Sequence, residues 1–446
     1  MNFRQGACFF LLPFSLTVVA ESPASPDTPA GRVLSAFLDS YNSEDSARID
    51  AFVNTYKPDI EFGLKEFREQ TGGFDLLAIE KNEKARIAFR VKERNSPTQA
   101  IGKIAVANGE PPKITNFSLY AVPPDFKFEE VPLDAAARTS VIDSTQRLLD
   151  EYYVFPDTAK KMIAAVRAKQ KHGGYDALVD GDAFARQLTG DLRAVSHDKH
   201  LGTDFSLLPL PEDKPGEDKP DAASAARMRE QLARVNCGFD KVEHLQPNIG
   251  YVKFNFFASP DLCGPTASAA MNFLADSDAL IVDLRENGGG DPKMVAYVSS
   301  YLFDKRTHLN DLYNRRENKT EEYWTRDDVP GRRLAGKPVY VLTSARTFSG
   351  AEEFSYNLKN LKRATLIGET TGGGAHPVDS HRIDAHFSIG VPFARAINPV
   401  SKTNWEGVGV APDVKVAASD ALAEAIKLAQ ARLREKSAMP QSSPSG

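Results

Sequence analysis

A serine at position 349 lies where a short apolar run gives way to a helical pattern. Residues 338–342 are apolar and mostly β-branched or bulky, which predicts a buried strand. Apolar residues then recur at helical spacing, at Ala351, Phe354, Leu358 and Leu361. A hydroxyl at the start of that helix has the positive end of the helix dipole beside it, which suits attack on a carbonyl and formation of an oxyanion. Serine is also favoured simply as a helix N-cap, so this segment alone leaves both interpretations open.

A three-glycine turn, residues 288–290, follows a second predicted buried strand, which includes residues 281–284. Glycine tolerates positive φ and lets backbone N–H groups approach a ligand closely. We therefore expect the N–H groups of Gly288 or Gly289, together with that of Gly350, to form an oxyanion hole beside Ser349. The turn lacks the Gly-Lys-Ser/Thr ending of a phosphate-binding loop.

Several motifs occur in a characteristic order along the chain. They occupy residues 196–201, 283–290, 347–354, 367–374 and 406–413. In this order the sequence resembles the carboxy-terminal processing (tail-specific) serine proteases, and the resemblance covers roughly residues 135–435. It implies an α/β fold, the Clp-protease/crotonase-like spiral of ββα units, preceded by a helical subdomain.

One departure from that pattern concerns the catalytic base. Typical tail-specific proteases use a Ser–Lys dyad, but Gly374 stands at the lysine position and no lysine occurs between Arg363 and Lys402. The chain instead resembles the tricorn-like and interphotoreceptor-retinoid-binding-protein-like branch. That resemblance implies His200 as base and Glu406 as the carboxylate that orients it, completing a triad with Ser349. His197, three residues away, is the rival base.

Other acids and histidines have simpler interpretations. Glu352 and Glu353 lie in the first turn of the predicted helix, where acids suit the dipole, and we interpret them as structural. His376, His381 and His386 recur every five residues, a spacing that matches neither one helical face nor a zinc motif. We predict no metal and no cofactor.

The elements that must position these residues form an α/β pattern. Strands and helices alternate from about residue 237, which predicts a largely parallel sheet in a catalytic core over residues 237–435. Residues 135–205 read as a helical N-terminal part of the protease region. Residues 206–236 begin with prolines among charges and are predicted to be a linker.

The sequence pattern of the N-terminal third of the chain predicts a separate domain. Residues 31–125 combine two amphipathic helices with alternating segments, which indicates a small α+β domain resembling the cone-shaped nuclear-transport-factor fold. Residues 1–20 have one positive charge, a short apolar stretch and a small residue before Glu21, as in a secretory signal peptide. Residues 21–30 are then a linker, and residues 436–446 a disordered tail.

The composition of the chain limits the kinds of partner that we expect it to bind. The formal net charge of −5 gives no basic surface for nucleic acid. No window beyond the signal is apolar enough for a membrane span, so we expect no stable membrane span after signal removal. Cleavage of the signal leaves Cys237 and Cys263, which either form a disulfide or remain as two buried thiols.

Together these features predict an exported, periplasmic or secreted serine hydrolase, a peptidase acting on peptides or unfolded chain ends through an acyl-enzyme on Ser349. The alternative is a non-catalytic binding protein that uses the same fold to hold an apolar ligand or peptide. A crotonase-like acyl-CoA enzyme is disfavoured by the export signal. The sequence gives no prediction of oligomeric state.

Overall fold

The computed structural model describes residues 23–57, 64–212 and 222–438. The chain divides into two compact units, Met1–Val131 and Pro132–Gly446. This division falls between the predicted end of the first domain, at 125, and the predicted start of the protease region, at 135. The predicted signal peptide lies outside the described residues. No helix in the described ranges is long and apolar enough to cross a bilayer.

The first unit is an α+β domain. Its elements are α1 (Pro29–Tyr41), α2 (Ser46–Tyr56), α3 (Leu64–Thr71), β1 (Phe74–Asn82), β2 (Arg86–Glu93), β3 (Gln99–Val106) and β4 (Ile114–Val122). The strands form an antiparallel meander in the order β1-β2-β3-β4. Helix α1 packs Phe37 and Tyr41 into an aromatic core with Phe74. The cone-like assignment stays a prediction.

A glycine interrupts the apolar pattern of strand β3. Gly102 pairs with Phe89 of β2, and a Cβ on Gly102 would overlap the Phe89 ring. The aromatic ring thus fills the space above the glycine, so burial continues along the strand although the side-chain pattern does not.

The second unit opens with helices and continues as an α/β domain. Its elements are α4 (Ala135–Tyr152), α5 (Pro156–Lys171), α6 (Gly181–Ser196), β5 (Gly202–Phe205), α7 (Ala222–Arg234), β6 (Phe239–Leu245), β7 (Ile249–Phe254), α8 (Pro260–Phe273), β8 (Ala279–Asp283), α9 (Pro292–Ser300), β9 (His308–Asn314), β10 (Lys319–Trp324), β11 (Val339–Thr343), α10 (Gly350–Asn360), β12 (Thr365–Gly368), β13 (Val378–Arg382), β14 (Phe387–Pro392), β15 (Ala394–Ile397), β16 (Val414–Lys415) and α11 (Ala421–Ala438). Helix α7 covers part of the segment predicted to be a linker, and α11 extends three residues beyond 435.

A six-stranded sheet is the centre of the second unit. Its order is β16-β12-β11-β8-β7-β6, and every pair is parallel except β6 with β7. Strands β8 and β11 are buried along their whole length. Such continuous burial is expected of central parallel strands covered on both faces. The α/β fold class predicted from the sequence is confirmed.

Two small sheets complete the second unit, and one of them joins the helical part to this core. One has the order β13-β14-β5 and the other β10-β9-β15. Strand β5 follows α6 and pairs antiparallel with β14, with Gly202 opposite Gly390. Because β5 begins two residues after His200, this pairing fixes the loop that carries the predicted base.

A disulfide joins Cys237 to Cys263 at the start of the core, with the two Cα atoms 5.8 Å apart. Both residues are buried, and the bridge ties the chain before β6 to helix α8. A cross-link over 26 residues removes unfolded-state entropy worth about 3 kcal/mol. Replacing both cysteines by alanine should therefore lower the free energy of unfolding by about that amount. Urea denaturation with and without reductant measures it; a wild-type transition unmoved by reductant would contradict the expectation.

Candidate active site

Ser349 occupies a strained turn between β11 and α10. Its backbone has φ 53° and ψ −121°, a conformation that L residues rarely adopt. Two hydrogen bonds hold the turn: the Ser349 N–H donates to Glu352 Oε2 at 2.9 Å, and the Phe348 N–H donates to the Asn287 carbonyl at 3.0 Å. A sharp strand-to-helix turn of this kind presents the serine hydroxyl at the edge of the sheet.

His200 contacts that hydroxyl directly. Its Nε2 lies 3.1 Å from Ser349 Oγ, within hydrogen-bond distance. The loop between α6 and β5 carries His200, and Asp198 Oδ1 accepts its backbone N–H at 3.0 Å. His197 instead closes α6 with φ 58° and is exposed. The structure therefore places His200, and not His197, against Ser349.

The surroundings of His200 favour its neutral form. Burial lowers the pKa of His200 to about 4, although the Asp198 carboxylate acts in the opposite direction. A neutral imidazole at physiological pH has a free lone pair for the serine proton. The other ring nitrogen, Nδ1, is buried without a hydrogen-bond partner in the structure.

Glu406 lies in the loop between β15 and β16, near this site but not bonded to His200. Its Oε2 accepts the Ala375 N–H at 2.5 Å, and its Oε1 is buried without a partner. Burial raises the pKa of Glu406 to about 7, which His376 partly offsets. The preceding Trp405 anchors the loop, since its indole N–H donates to the Gly374 carbonyl at 2.7 Å. The described residues thus contain a serine–histidine pair and a carboxylate that no direct hydrogen bond joins to it.

The geometry around Gly374 accounts for the missing lysine. A Cβ built on Gly374 would overlap the Phe348 ring and lie 2.6 Å from Cε1 of His200, closer than real Cβ contacts. The imidazole also packs on Phe348, with ring centroids 4.7 Å apart. A lysine at position 374 and a histidine at position 200 therefore compete for one space.

Glu352 links the serine turn to the glycine-rich loop after β12. Besides the Ser349 N–H, its carboxylate accepts hydrogen bonds from the Thr371 hydroxyl and from the N–H groups of Gly373 and Gly374, at 2.5, 2.6 and 2.8 Å. The side chain is fully buried, and this burial raises its pKa while the four donors act in the opposite direction. The structural interpretation of Glu352 fits these contacts.

The predicted oxyanion donors need a correction. The Gly288 N–H donates to the Asn255 carbonyl at 3.0 Å, and the Gly289 N–H donates to Asn287 Oδ1 at 2.9 Å. Both groups are therefore already engaged. Within the described ranges, the N–H groups of Gly290 and Gly350 make no hydrogen bond, and a Cβ on Gly350 would lie 3.0 Å from Gly290 N. Gly290 and Gly350 are thus the adjacent free donors beside Ser349.

His376 belongs to this site, which its five-residue spacing from other histidines did not indicate. Its Nδ1 lies 2.7 Å from Asp198 Oδ2 and 3.5 Å from Glu406 Oε2. His381 stacks on Tyr152, and His386 Nδ1 lies 2.9 Å from the Ser206 carbonyl, so the three histidines do not share a site. The only sequence signal was the position of His376, two residues after Gly374.

The cluster of Asp198, His376 and Glu406 has ligand atoms within 4.8 Å of one another, as a metal site would require. Two ligands of a tetrahedral zinc ion, each about 2.0–2.1 Å from it, lie about 3.3 Å apart. The 2.7 Å approach of His376 to Asp198 is shorter and is that of a hydrogen bond. We therefore describe the cluster as a hydrogen-bonded His376–Asp198 pair with the Glu406 carboxylate 3.5 Å from the same His376 Nδ1.

Comparison with known proteins relates this chain to a family of serine peptidases. The sequence model of Peptidase family S41 matches residues 248–416, and that of the N-terminal domain of Peptidase S41 in eukaryotic IRBP matches residues 131–235. The chain belongs to peptidase family S41, in which the resemblance of its motifs had placed it.

Among curated proteins, the chain is similar to carboxyl-terminal-processing peptidase 2, chloroplastic, of Arabidopsis thaliana, with 27% identity over 173 residues. That match covers 37% of this chain and 32% of the relative. It is also 30% identical over 144 residues to the tricorn protease of Thermoplasma volcanium, covering 32% of this chain and 13% of that protein. The chain thus spans a third or less of the curated relatives that it matches.

Among solved structures, a putative peptidase from Parabacteroides merdae is 20% identical, with a TM-score of 0.48. The similarity covers 68% of this chain and 99% of that one.

Proposed function

We propose that the protein is a serine peptidase that cleaves peptides or unfolded chain ends through an acyl-enzyme on Ser349. The observation that supports this most strongly is the 3.1 Å approach of His200 Nε2 to the hydroxyl of a serine held at φ 53°. A serine that served only as a helix cap would need neither the neutral imidazole nor the strained turn. Membership of a peptidase family supports a peptide bond as the substrate.

The proposed reaction follows from these contacts. His200 Nε2 takes the proton from Ser349 Oγ while Oγ bonds to the carbonyl carbon of the substrate. The N–H groups of Gly290 and Gly350 donate to the resulting oxyanion. The imidazolium then returns its proton to the leaving amine, and water hydrolyses the ester in a second cycle of the same transfers.

Glu406 completes the proposed triad as the carboxylate that faces the imidazolium. His200 Nδ1 is a buried donor without a partner, and Glu406 Oε1 is a buried acceptor without one. Buried polar atoms in this state call for a bridging water or a small side-chain movement. Either would place a negative charge on the Nδ1 side as the imidazolium forms.

We also propose that the chain is exported, to the periplasm or outside the cell. The signal-like residues 1–20 support this, and so does the disulfide between Cys237 and Cys263, because disulfides persist in oxidising compartments.

A serine-reactive fluorophosphonate probe tests the function. We expect the wild-type protein to be labelled at Ser349 and the Ser349→Ala variant to remain unlabelled, as read by mass spectrometry of the adduct peptide. Ser419→Ala is the matched control, because Ser419 is exposed and lies outside the site. Digestion of a peptide library by the wild-type protein but not by Ser349→Ala would identify a peptidase. A folded wild-type protein that the probe does not label would sink the hydrolase proposal and favour the binding-protein alternative.

A further inference from the structure

A second histidine is buried behind the serine–histidine pair. His376 is 5% exposed and lies in the loop between β12 and β13. Its ring packs edge-on against Phe155, with centroids 5.3 Å apart. Its Nδ1 faces two carboxylates, Asp198 and Glu406, at 2.7 and 3.5 Å. No step of the proposed mechanism uses this imidazole.

The chemistry of the neighbours fixes which atom carries a proton. An ionised carboxylate only accepts hydrogen bonds, so the His376 Nδ1 must donate to Asp198. The same Asp198 carboxylate accepts the hydroxyl of Tyr153 at 3.3 Å and the backbone N–H of the catalytic base, His200, at 3.0 Å. His376 therefore positions Asp198, and Asp198 in turn positions the backbone of His200.

Glu406 depends on the same imidazole. It shares a buried space with the carboxylate of Asp198, and two like charges in one low-dielectric site repel each other. The Nδ1–H of His376 lies between the two carboxylates, 2.7 Å from Asp198 Oδ2 and 3.5 Å from Glu406 Oε2, so one donor faces both acids. His376 also reaches Glu406 through the chain, because the Glu406 carboxylate accepts the N–H of the adjacent Ala375.

We propose that His376 is a positioning residue for the peptidase reaction: by donating from Nδ1 between Asp198 and Glu406, it fixes the loop of His200 and the place of the triad carboxylate. This inference rests on the proposed function, and it assigns to His376 no contact with substrate.

The charges around the cluster set its pH dependence. The groups that act on it are Asp198 and His200 from the loop after α6, Arg193 from α6, Tyr153 from the end of α4, Glu406 from the loop after β15 and Glu352 from α10. His376 itself lowers the pKa of both Glu406 and His200. Loss of its imidazole therefore raises both pKa values. The acid limb of the pH profile, where the acylation rate falls as the pH drops, then moves to higher pH.

Two substitutions of His376 distinguish the role of its hydrogen-bond donor from the role of its aromatic ring. His376→Phe keeps an aromatic ring against Phe155 but has no Nδ1 donor. His376→Asn loses the ring but places its amide nitrogen where Nδ1 stood. We expect His376→Phe to lower the maximal rate of fluorophosphonate acylation about 10- to 100-fold at pH 8, with the probe concentration for half-maximal rate unchanged. His376→Asn should recover most of that rate, while in both variants the acid limb moves to higher pH.

Three results would overturn the assignment. His376→Phe acting like the wild type would leave only ring packing as its role, and equal losses in both variants would show that the donor is not what matters. Loss of wild-type acylation on treatment with a zinc chelator, with recovery on adding Zn²⁺, would make the cluster a metal site instead.

An activity-independent reading separates this inference from the proposed function. The Cε1–H signal of His200 can be titrated by NMR in Ser349→Ala and in Ser349→Ala with His376→Phe, assigned by comparison with His200→Gln. The pKa of His200 should be higher in the double variant. An unchanged pKa of His200 overturns the role of His376 even if the probe labels the wild-type protein. A raised pKa in a protein that the probe does not label would support the coupling of His376 to His200 and contradict the proposed peptidase function.

Discussion

Replacing His200 by alanine is expected to slow fluorophosphonate acylation of Ser349 about 10³-fold at pH 8, the range that general-base catalysis contributes. The variant keeps the strained turn and the free N–H groups of Gly290 and Gly350, so the remaining rate reports those features alone. His197→Ala is the matched control, because His197 is an exposed histidine at the end of α6, three residues away.

The pH profile of the wild type should identify the same residue. A base must be deprotonated to accept the serine proton, so the rate falls as pH drops through its pKa. Because burial lowers the pKa of His200 to about 4, the main acid limb should lie near pH 4, well below that of an exposed histidine. A shallower fall near pH 7 is expected as Glu406, whose pKa is raised to about 7, takes up a proton.

The acylation rate measured from pH 3.5 to 9 checks these expectations, with circular dichroism at each pH to confirm that the protein is folded. His200→Ala should lose the limb near pH 4. A wild-type profile with one limb near 6.5, or equal losses in His197→Ala and His200→Ala, would contradict the assignment of the base.

Substituting Gly374 by alanine should inactivate the protein almost as completely, although it removes no functional group. The added methyl would overlap the Phe348 ring and approach His200 Cε1 to 2.6 Å, so the imidazole must move away from Ser349. A displacement of about 1 Å in a catalytic group can cost about 10²-fold in rate, and we expect a loss of at least that size. Fluorophosphonate acylation measures it, and thermal unfolding shows whether the fold survives.

Gly190→Ala is the control for this substitution. Gly190 lies inside α6 with no atom within 4 Å of the position that its Cβ would take, so the alanine should leave the rate unchanged. Normal acylation by a folded Gly374→Ala protein would show that His200 does not need the space above Gly374. Gly374→Lys extends the test, because a lysine there should also displace His200 unless it takes over as base.

The sequence was sufficient to predict the elements that the site depends on. The apolar run before Ser349 and the helical spacing after it predicted β11 and α10, because a buried parallel strand and an amphipathic helix have distinct patterns. The order of the motifs led to His200, which the structure places in contact with Ser349. The absence of a lysine at position 374 indicated a histidine base, and the contact of Gly374 with the imidazole supplies its steric reason.

Other features depended on atoms that sequence spacing does not orient. The choice among three consecutive glycines is a matter of backbone direction: Gly289 and Gly290 have φ of 99° and 137°, and only the N–H of Gly290 is left free. His376 approaches Asp198 across 178 residues of chain, so no local pattern could pair them. Helix α7 was missed because prolines at the start of its segment outweighed the alanines that follow.

The four hydrogen bonds to Glu352 have a consequence for local unfolding of the site. The donors come from the serine turn and from the loop that carries Thr371, Gly373 and Gly374, so one buried carboxylate is common to both segments. If either segment moved away, the buried Glu352 carboxylate would lose hydrogen-bond donors. Local unfolding of one segment alone therefore costs free energy. We therefore expect the Ser349 turn and the loop that carries Gly374 to unfold as one cooperative unit. Their backbone amides should then exchange with solvent in a single opening event.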